Sequence, residues 1–160
     1  MEWYKIVLAG ANDTDVMKII RRVCDDYTNF TPYGKIIIDR EHLLYVFGAP
    51  KTHTNDPVWQ SLLEEVLGFA LVIDLSRPEL VNETTQLLAQ LQQFWKTPLV
   101  GLVYNEHELT SMSLADMRIL LRMPEDIPLI HFEMNQPDSI KQAFIRLMQF
   151  IQVLVQTDTD

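Results

Sequence analysis

Apolar residues along this chain switch repeatedly between continuous runs and a spacing of three and four, which reads as strand, helix, strand, strand, helix and then three strand-helix units. The first strand runs from about Trp3 to Ala9. Val16, Ile19, Ile20, Val23, Cys24 and Tyr27 then mark one buried helical face, with capping side chains between Asn12 and Asp15. Two strands follow without a helix, about Lys35 to Asp39 and His42 to Phe47. A connection as short as Arg40-Glu41 forces them into an antiparallel hairpin. Asp56-Pro57 opens a second helix with an aspartate cap and a first-turn proline; its stripe is Trp59, Leu62, Leu63, Val66 and Leu67, and Gly68 stops it. The unbroken apolar run from Phe69 to Leu75 is a buried central strand of a largely parallel sheet. A third helix from about Pro78 to Trp95 buries Leu80, Leu87, Leu88, Leu91 and Phe94, and a fifth strand spans Pro98 to Tyr104. Ser113 and Asp116 form a capping box for a fourth helix carrying Leu114, Met117, Leu120 and Leu121. After a sixth strand at Pro128 to Phe132, Asp138 or Ser139 caps a last helix with Ile140, Ala143, Phe144, Leu147, Met148, Ile151 and Val155 on one face.

This order predicts a single α/β domain over residues 1–155, followed by a polar tail at 156–160 that frays. Six strands form a mostly parallel sheet with one antiparallel member and helices on both faces. Ligands of such sheets sit beyond the carboxyl ends of strands, so functional residues are expected after Ala9, Phe47, Leu75, Tyr104 and Phe132.

A length of 160 residues with 48% hydrophobic content is enough for a substantial core. No apolar run reaches membrane-spanning length and neither terminus carries a leader or lipidation pattern, so a soluble, cytoplasmic protein is expected. The single cysteine, Cys24, lies on an apolar helix face and is read as packing. A net charge of −9 with scattered basic residues argues against nucleic acid, and more weakly against a polyanionic ligand.

The candidate chemistry begins at the first strand's end. Gly10 opens a turn between an apolar strand and an amphipathic helix, the setting in which G-x-x-x-x-G-K-S/T cradles nucleotide phosphates. Asp15 stands at the second glycine, Val16 at the lysine and Met17 at the magnesium-binding hydroxyl. Asp13 or Asp15 is expected to cap the helix from within the chain, occupying the amides that a phosphate would meet.

The element order, together with four local sequences, resembles the Ras-like small GTPases, and among them the bacterial group related to the Mgl-type polarity switch. The sequences are the loop at Gly10 to Met17, Tyr33-Gly34-Lys35-Ile36 with Leu43 to Pro50 leading toward a second switch, Gly68 to Glu79 as the fourth strand and its loop, and Asn105-Glu106-His107-Glu108 where the family reads guanine with Asn-Lys-x-Asp. The resemblance implies a Ras-like P-loop GTPase fold. It also implies a lost grip on nucleotide: Lys51 and Thr52 replace the second-switch glycine and glutamine, Thr28 or Thr31 would have no metal to meet, and Glu106 and Glu108 replace the base-reading lysine and aspartate. The expected function is a catalytically inactive pseudo-GTPase, with no cofactor and no metal, acting as an interaction module. Roadblock-type proteins, small homodimers that dock on the switch face, are the partner class the resemblance implies. The expected partner surface is Tyr33, Tyr45, Phe47, Lys51, His53 and Trp59.

Two alternatives stay open. In one, GTP or GDP with magnesium binds weakly, Lys18, Lys35 or Lys51 replacing the lost lysine and His53 positioning water. In the other, Asp13, Asp15 and Asp74 form the acid cluster of a receiver-like signalling domain. His42, His107 and His131 have no metal-ligand spacing and are read as solvated or locally hydrogen-bonded.

Overall fold

The structure is a computed structural model that describes residues 2–27, 33–50, 56–94, 96–106 and 112–159, with side chains of the final helix through Gln152. Strands are β1 (Glu2–Gly10), β2 (Asp26–Tyr27), β3 (Tyr33–Ile37), β4 (His42–Gly48), β5 (Gly68–Asp74), β6 (Leu99–Tyr104) and β7 (Leu129–His131); helices are α1 (Asp13–Val23), α2 (Pro57–Leu63), α3 (Val81–Gln92), α4 (Leu114–Leu121) and α5 (Pro137–Thr159). They form an α/β fold around one mixed sheet in the order β2-β3-β4-β1-β5-β6-β7. β1 pairs in parallel with β4 and β5, β5 with β6, and β6 with β7. β3 is antiparallel to both its neighbours, so it alone opposes the common strand direction.

The sheet has seven strands where the sequence pattern predicts six. The additional one is β2, in which Asp26 faces Lys35 and Tyr27 faces Gly34 across an antiparallel ladder. Tyr27 therefore leaves the helix face predicted for it and is exposed on a sheet edge. The helix stops earlier because the backbone turns extended at Cys24. That turn lays residues 24–26 against β3, where Asp25 donates its N–H to the Lys35 carbonyl and accepts the Ile37 N–H on its carboxylate at 2.7 Å.

Two apolar layers sandwich the sheet. On one side α1 and α5 cover Ile6, Leu8, Leu44, Val46, Ala70 and Leu102. On the other, α2, α3 and α4 cover Val7, Ala9, Phe69, Leu71, Ile73 and Val103. β5 is buried at every residue, as its unbroken apolar run requires. Two capping signals are realised: Asp56 accepts the Val58 N–H, and Ser113 the Asp116 N–H. The third is corrected, since α5 begins at Pro137 and so includes Asp138 and Ser139, the latter accepting the Glu133 N–H. In α4 only Met117 and Leu121 of the expected stripe are buried; Leu114 and Leu120 are exposed. α5 remains helical through Thr159, past the point where the sequence places a polar tail.

Gly34 is fixed by close approach. A Cβ there would lie 2.5 Å from Cys24 Sγ and 2.8 Å from its Cβ. Gly34→Ala is expected to destabilise the fold by about 1–3 kcal/mol, the usual range for overpacking, measured by urea unfolding. Cys24→Ala should recover part of that loss, because it removes the nearer atom.

Candidate functional site

The carboxyl ends of β1, β5 and β6 converge on the amino terminus of α1, where open α/β sheets place their ligands. Only Ala11 and Asn12 separate β1 from α1. A phosphate-cradling loop keeps its glycine-bounded turn outside the helix; here Asp13, Thr14 and Asp15 are already helical. The helix can begin this early because Asn12 adopts extended backbone angles and accepts the Thr14 N–H at 2.9 Å. Asn12 is thus the cap, correcting the expectation for Asp13 and Asp15. Gly10 serves packing: a Cβ on it would stand 3.1 Å from a Val16 methyl and 3.4 Å from Val72 Cβ. Val16 is buried in the core beneath α1, and Met17 is half-buried.

Asp15 projects into the cleft and meets a residue the sequence pattern did not single out. Arg77, three residues past the end of β5, places its guanidinium among three carboxylates from three segments. Nη1 lies 3.4 Å from Asp15 Oδ2, Nε lies 3.0 Å from Asp74 Oδ2, and Nη2 donates to Glu106 Oε2. Lys18, from the next turn of α1, reaches Glu106 Oε1 at 3.4 Å. Asp74 is held from its other oxygen by the Ser76 backbone N–H at 2.9 Å and hydroxyl at 2.6 Å. The carboxylates of Asp15 and Asp74 are almost wholly buried, whereas Arg77 is 21% exposed.

Burial raises the cost of every charge here, and the pairing offsets it. For Arg77, desolvation acts to lower the pKa; the Glu106 hydrogen bond and the charges of Asp15 and Glu106 override it and hold the guanidinium above its ordinary value. Glu106 mirrors this: burial would raise its pKa, and Arg77 and then Lys18 bring it below the usual carboxylate range. The fit is incomplete. Asp15 Oδ1, Asp74 Oδ2 and Tyr104 Oη are buried without a well-formed hydrogen bond, the Asp74 oxygen being met by Arg77 as an ion pair only. Burial and the neighbouring Asp15 together push the Tyr104 phenol upward, so it stays protonated and available to donate. A cavity of about 10 Å³ beside the cluster is lined by Gly10, Ala11, Asn12, Asp15, Asp74 and Arg77 among others, room for about one water molecule. A separate pocket of about 200 Å³ meets Gly10 and Ala11 from the side of Ala49 and Pro50.

The residues expected to read a base are engaged elsewhere. Asn105 Oδ1 bonds His131 Nε2 at 2.7 Å, and Glu106 is held by Arg77 and Lys18. His42 lies 2.7 Å from Asp39 and stacks on Tyr4, so it and His131 are locally hydrogen-bonded as expected. Cys24 is half-buried, its thiol pushed up to about 12 by burial and by Asp25, which makes it a packing residue. Among the described residues no group of three His, Cys, Asp or Glu side chains is arranged to hold a metal. Likewise no described helix is long and apolar enough to cross a membrane. Thr28, Thr31, Lys51, Thr52, His53, His107 and Glu108 lie outside the described residues.

A second feature lies on the β3-β4-β1 side of the sheet. Registers place Tyr33 opposite Phe47, Lys35 opposite Tyr45, and Tyr45 beside Lys5, all on the face that α2 covers only in part. Tyr33 packs against Phe47 at 4.8 Å between centroids and stacks on Tyr45 at 6.1 Å; Trp3 meets Tyr45 edge-on at 5.7 Å. With Val58 and Leu62 these rings line a groove of about 890 Å³. Lys5 crosses its floor, donating to the Ser61 and Glu64 carbonyls at 2.9 Å each and so closing the carboxyl end of α2, with its ammonium 5.3 Å from the Phe47 ring centroid. Asp13 joins this groove rather than the cleft. Three expected surface aromatics, Tyr33, Tyr45 and Phe47, therefore share one groove. Trp59 is a correction: it is 0% exposed, stacked on Phe94 within the core.

The fold and site define an α/β protein with a cleft closed by its own arginine. No protein-family model matches the chain, and no curated protein matches it.

Proposed function

We propose that the chain is a Ras-like pseudo-GTPase: a domain whose nucleotide site is occupied by its own side chains and which works as a protein-interaction module, with a roadblock-type protein as the partner class. The observation that carries this reading is Arg77. Its guanidinium lies among Asp15, Asp74 and Glu106 at the amino terminus of α1, the place that a Ras-like reading gives to a nucleotide's phosphates, and the cavity beside it holds about 10 Å³. An incoming triphosphate would meet three carboxylates against two cations, Arg77 and Lys18, a local balance of −1. Lys18, one of the residues proposed to replace the missing lysine, is paired with Glu106. Neither cation can turn to a phosphate without exposing a buried or half-buried carboxylate.

Urea unfolding with and without magnesium and 1 mM GTP or GDP tests the reading. Ligand at a hundred times its dissociation constant stabilises by about 2.7 kcal/mol. No change in midpoint is expected. Stabilisation of about 2.7 kcal/mol at that concentration would mean binding near 10 μM and would sink the inert-site reading in favour of a weak nucleotide switch.

A further inference from the structure

We propose that the aromatic groove between α2 and the β3-β4-β1 face receives an amphipathic helix whose apolar stripe is flanked by lysine or arginine. The proposal rests on the interaction-module reading and names the chemistry of the partner. Charge complementarity carries it. The groove's rings and aliphatic side chains are bordered by Asp13, Glu64 and Glu65, all exposed and without an ion-pair partner among the described residues. Among the described lining residues its cation is Lys5, held by the carbonyls of Ser61 and Glu64, where its charge also interacts with Glu64 and Glu65. A cationic flank would therefore face three carboxylates against one ammonium, a local balance of −2, while its apolar side covers the rings.

Two further observations narrow the occupant. Glu65 holds a left-handed backbone, φ 57°, which glycine or asparagine adopts at less cost, so its carboxylate stands on the rim in a conformation its residue type disfavours. Addition of a strand to β3 is opposed at the edge itself: β2 pairs with Gly34 and Lys35, and the Asp25 carboxylate takes the Ile37 N–H. Among the described residues the aromatic lining lies on the face, and a face bordered by a helix accepts a helix in a groove.

The probes are two synthetic helical peptides of about 14 residues with the same leucine stripe, one flanked by lysine and one by glutamate, titrated calorimetrically into the full chain. The lysine peptide is expected to bind and the glutamate peptide not to. Glu64→Gln with Glu65→Gln should weaken the lysine peptide about tenfold, and Tyr45→Ser should do so by a similar factor. Glu133→Gln with Glu125→Gln, remote charges of the same sign, should leave affinity within about twofold, which separates the groove from general attraction to an acidic protein. The proposal is overturned by failure of the lysine peptide to bind, equal binding of the glutamate peptide, an equal loss from the remote pair, or unchanged affinity in Tyr45→Ser. Failure of the wider reading has a different signature, stabilisation of the unmodified chain by nucleotide. Peptide failure without it removes only this occupant.

Discussion

Arg77→Met is expected to destabilise the protein by about 3–5 kcal/mol, the range for removing one partner of a buried charge cluster. Methionine has similar length and little polarity, so the loss comes from charge rather than volume. The substitution would leave Asp15 and Asp74 buried with no cation nearby, and Glu106 with Lys18 alone. Urea unfolding at neutral pH measures the effect. Its pH dependence distinguishes charge from packing. In the natural chain the Glu106 carboxyl is held below its ordinary value, so its contribution is complete above the unfolded carboxyl's pKa and is lost as pH falls through the lower folded value. In Arg77→Met the part of that contribution that Arg77 supplies is absent, so the stability difference between the two proteins should shrink as pH falls below the ordinary carboxylate range and through the lower folded value of Glu106. A difference that stays constant with pH would assign the effect to packing and remove the charge-cluster account. Asp15→Asn in the Arg77→Met background should recover part of the loss, since an amide is cheaper to bury than an unpaired carboxylate.

The cluster also marks the limit of what the chain revealed as text. The strands and helices were legible because a sheet covered on both faces demands long apolar runs and three-four spacings, and β5 and α5 carry these plainly. β2 was not, since two residues have no period, and Tyr27 happens to continue the spacing of α1. Asp15 drew notice through a motif it breaks, yet the same motif suggested a capping role that Asn12 fills. Arg77 lies inside the Gly68 to Glu79 segment, but nothing in that segment assigns it a role. A different count would have found it: Asp15, Asp74 and Glu106 all fall at, or within a few residues of, the carboxyl ends of strands that are neighbours in the parallel part of the sheet. Three carboxylates brought to one cleft require a cation, and Arg77 follows Asp74 by three residues. The groove was legible in part for a similar reason. Antiparallel pairing around Arg40-Glu41 puts Tyr33, Tyr45 and Phe47 on one face, but which face a helix covers depends on where α2 lies, and no local pattern states that.

Trp59 turns on that distinction. Trp59→Ala is expected to cost about 3–5 kcal/mol, the range for deleting a large aromatic from a packed core, because the ring is fully buried, stacked on Phe94 at 6.4 Å. Tyr45→Ser removes a half-buried ring with edge and stacking partners in Trp3 and Tyr33, and should cost only about 1 kcal/mol. The two substitutions thus separate core from contact surface on residues the sequence grouped together. Urea unfolding should show a lower midpoint for Trp59→Ala at an unchanged denaturant slope, while the folded fraction keeps its affinity for the lysine-flanked peptide. Tyr45→Ser should show the reverse, near-normal stability with weakened peptide binding. Were Trp59→Ala to unfold within about 1 kcal/mol of the natural chain and lose the peptide, the ring would belong to the groove, and the division between α2's buried side and the open face would have to be redrawn.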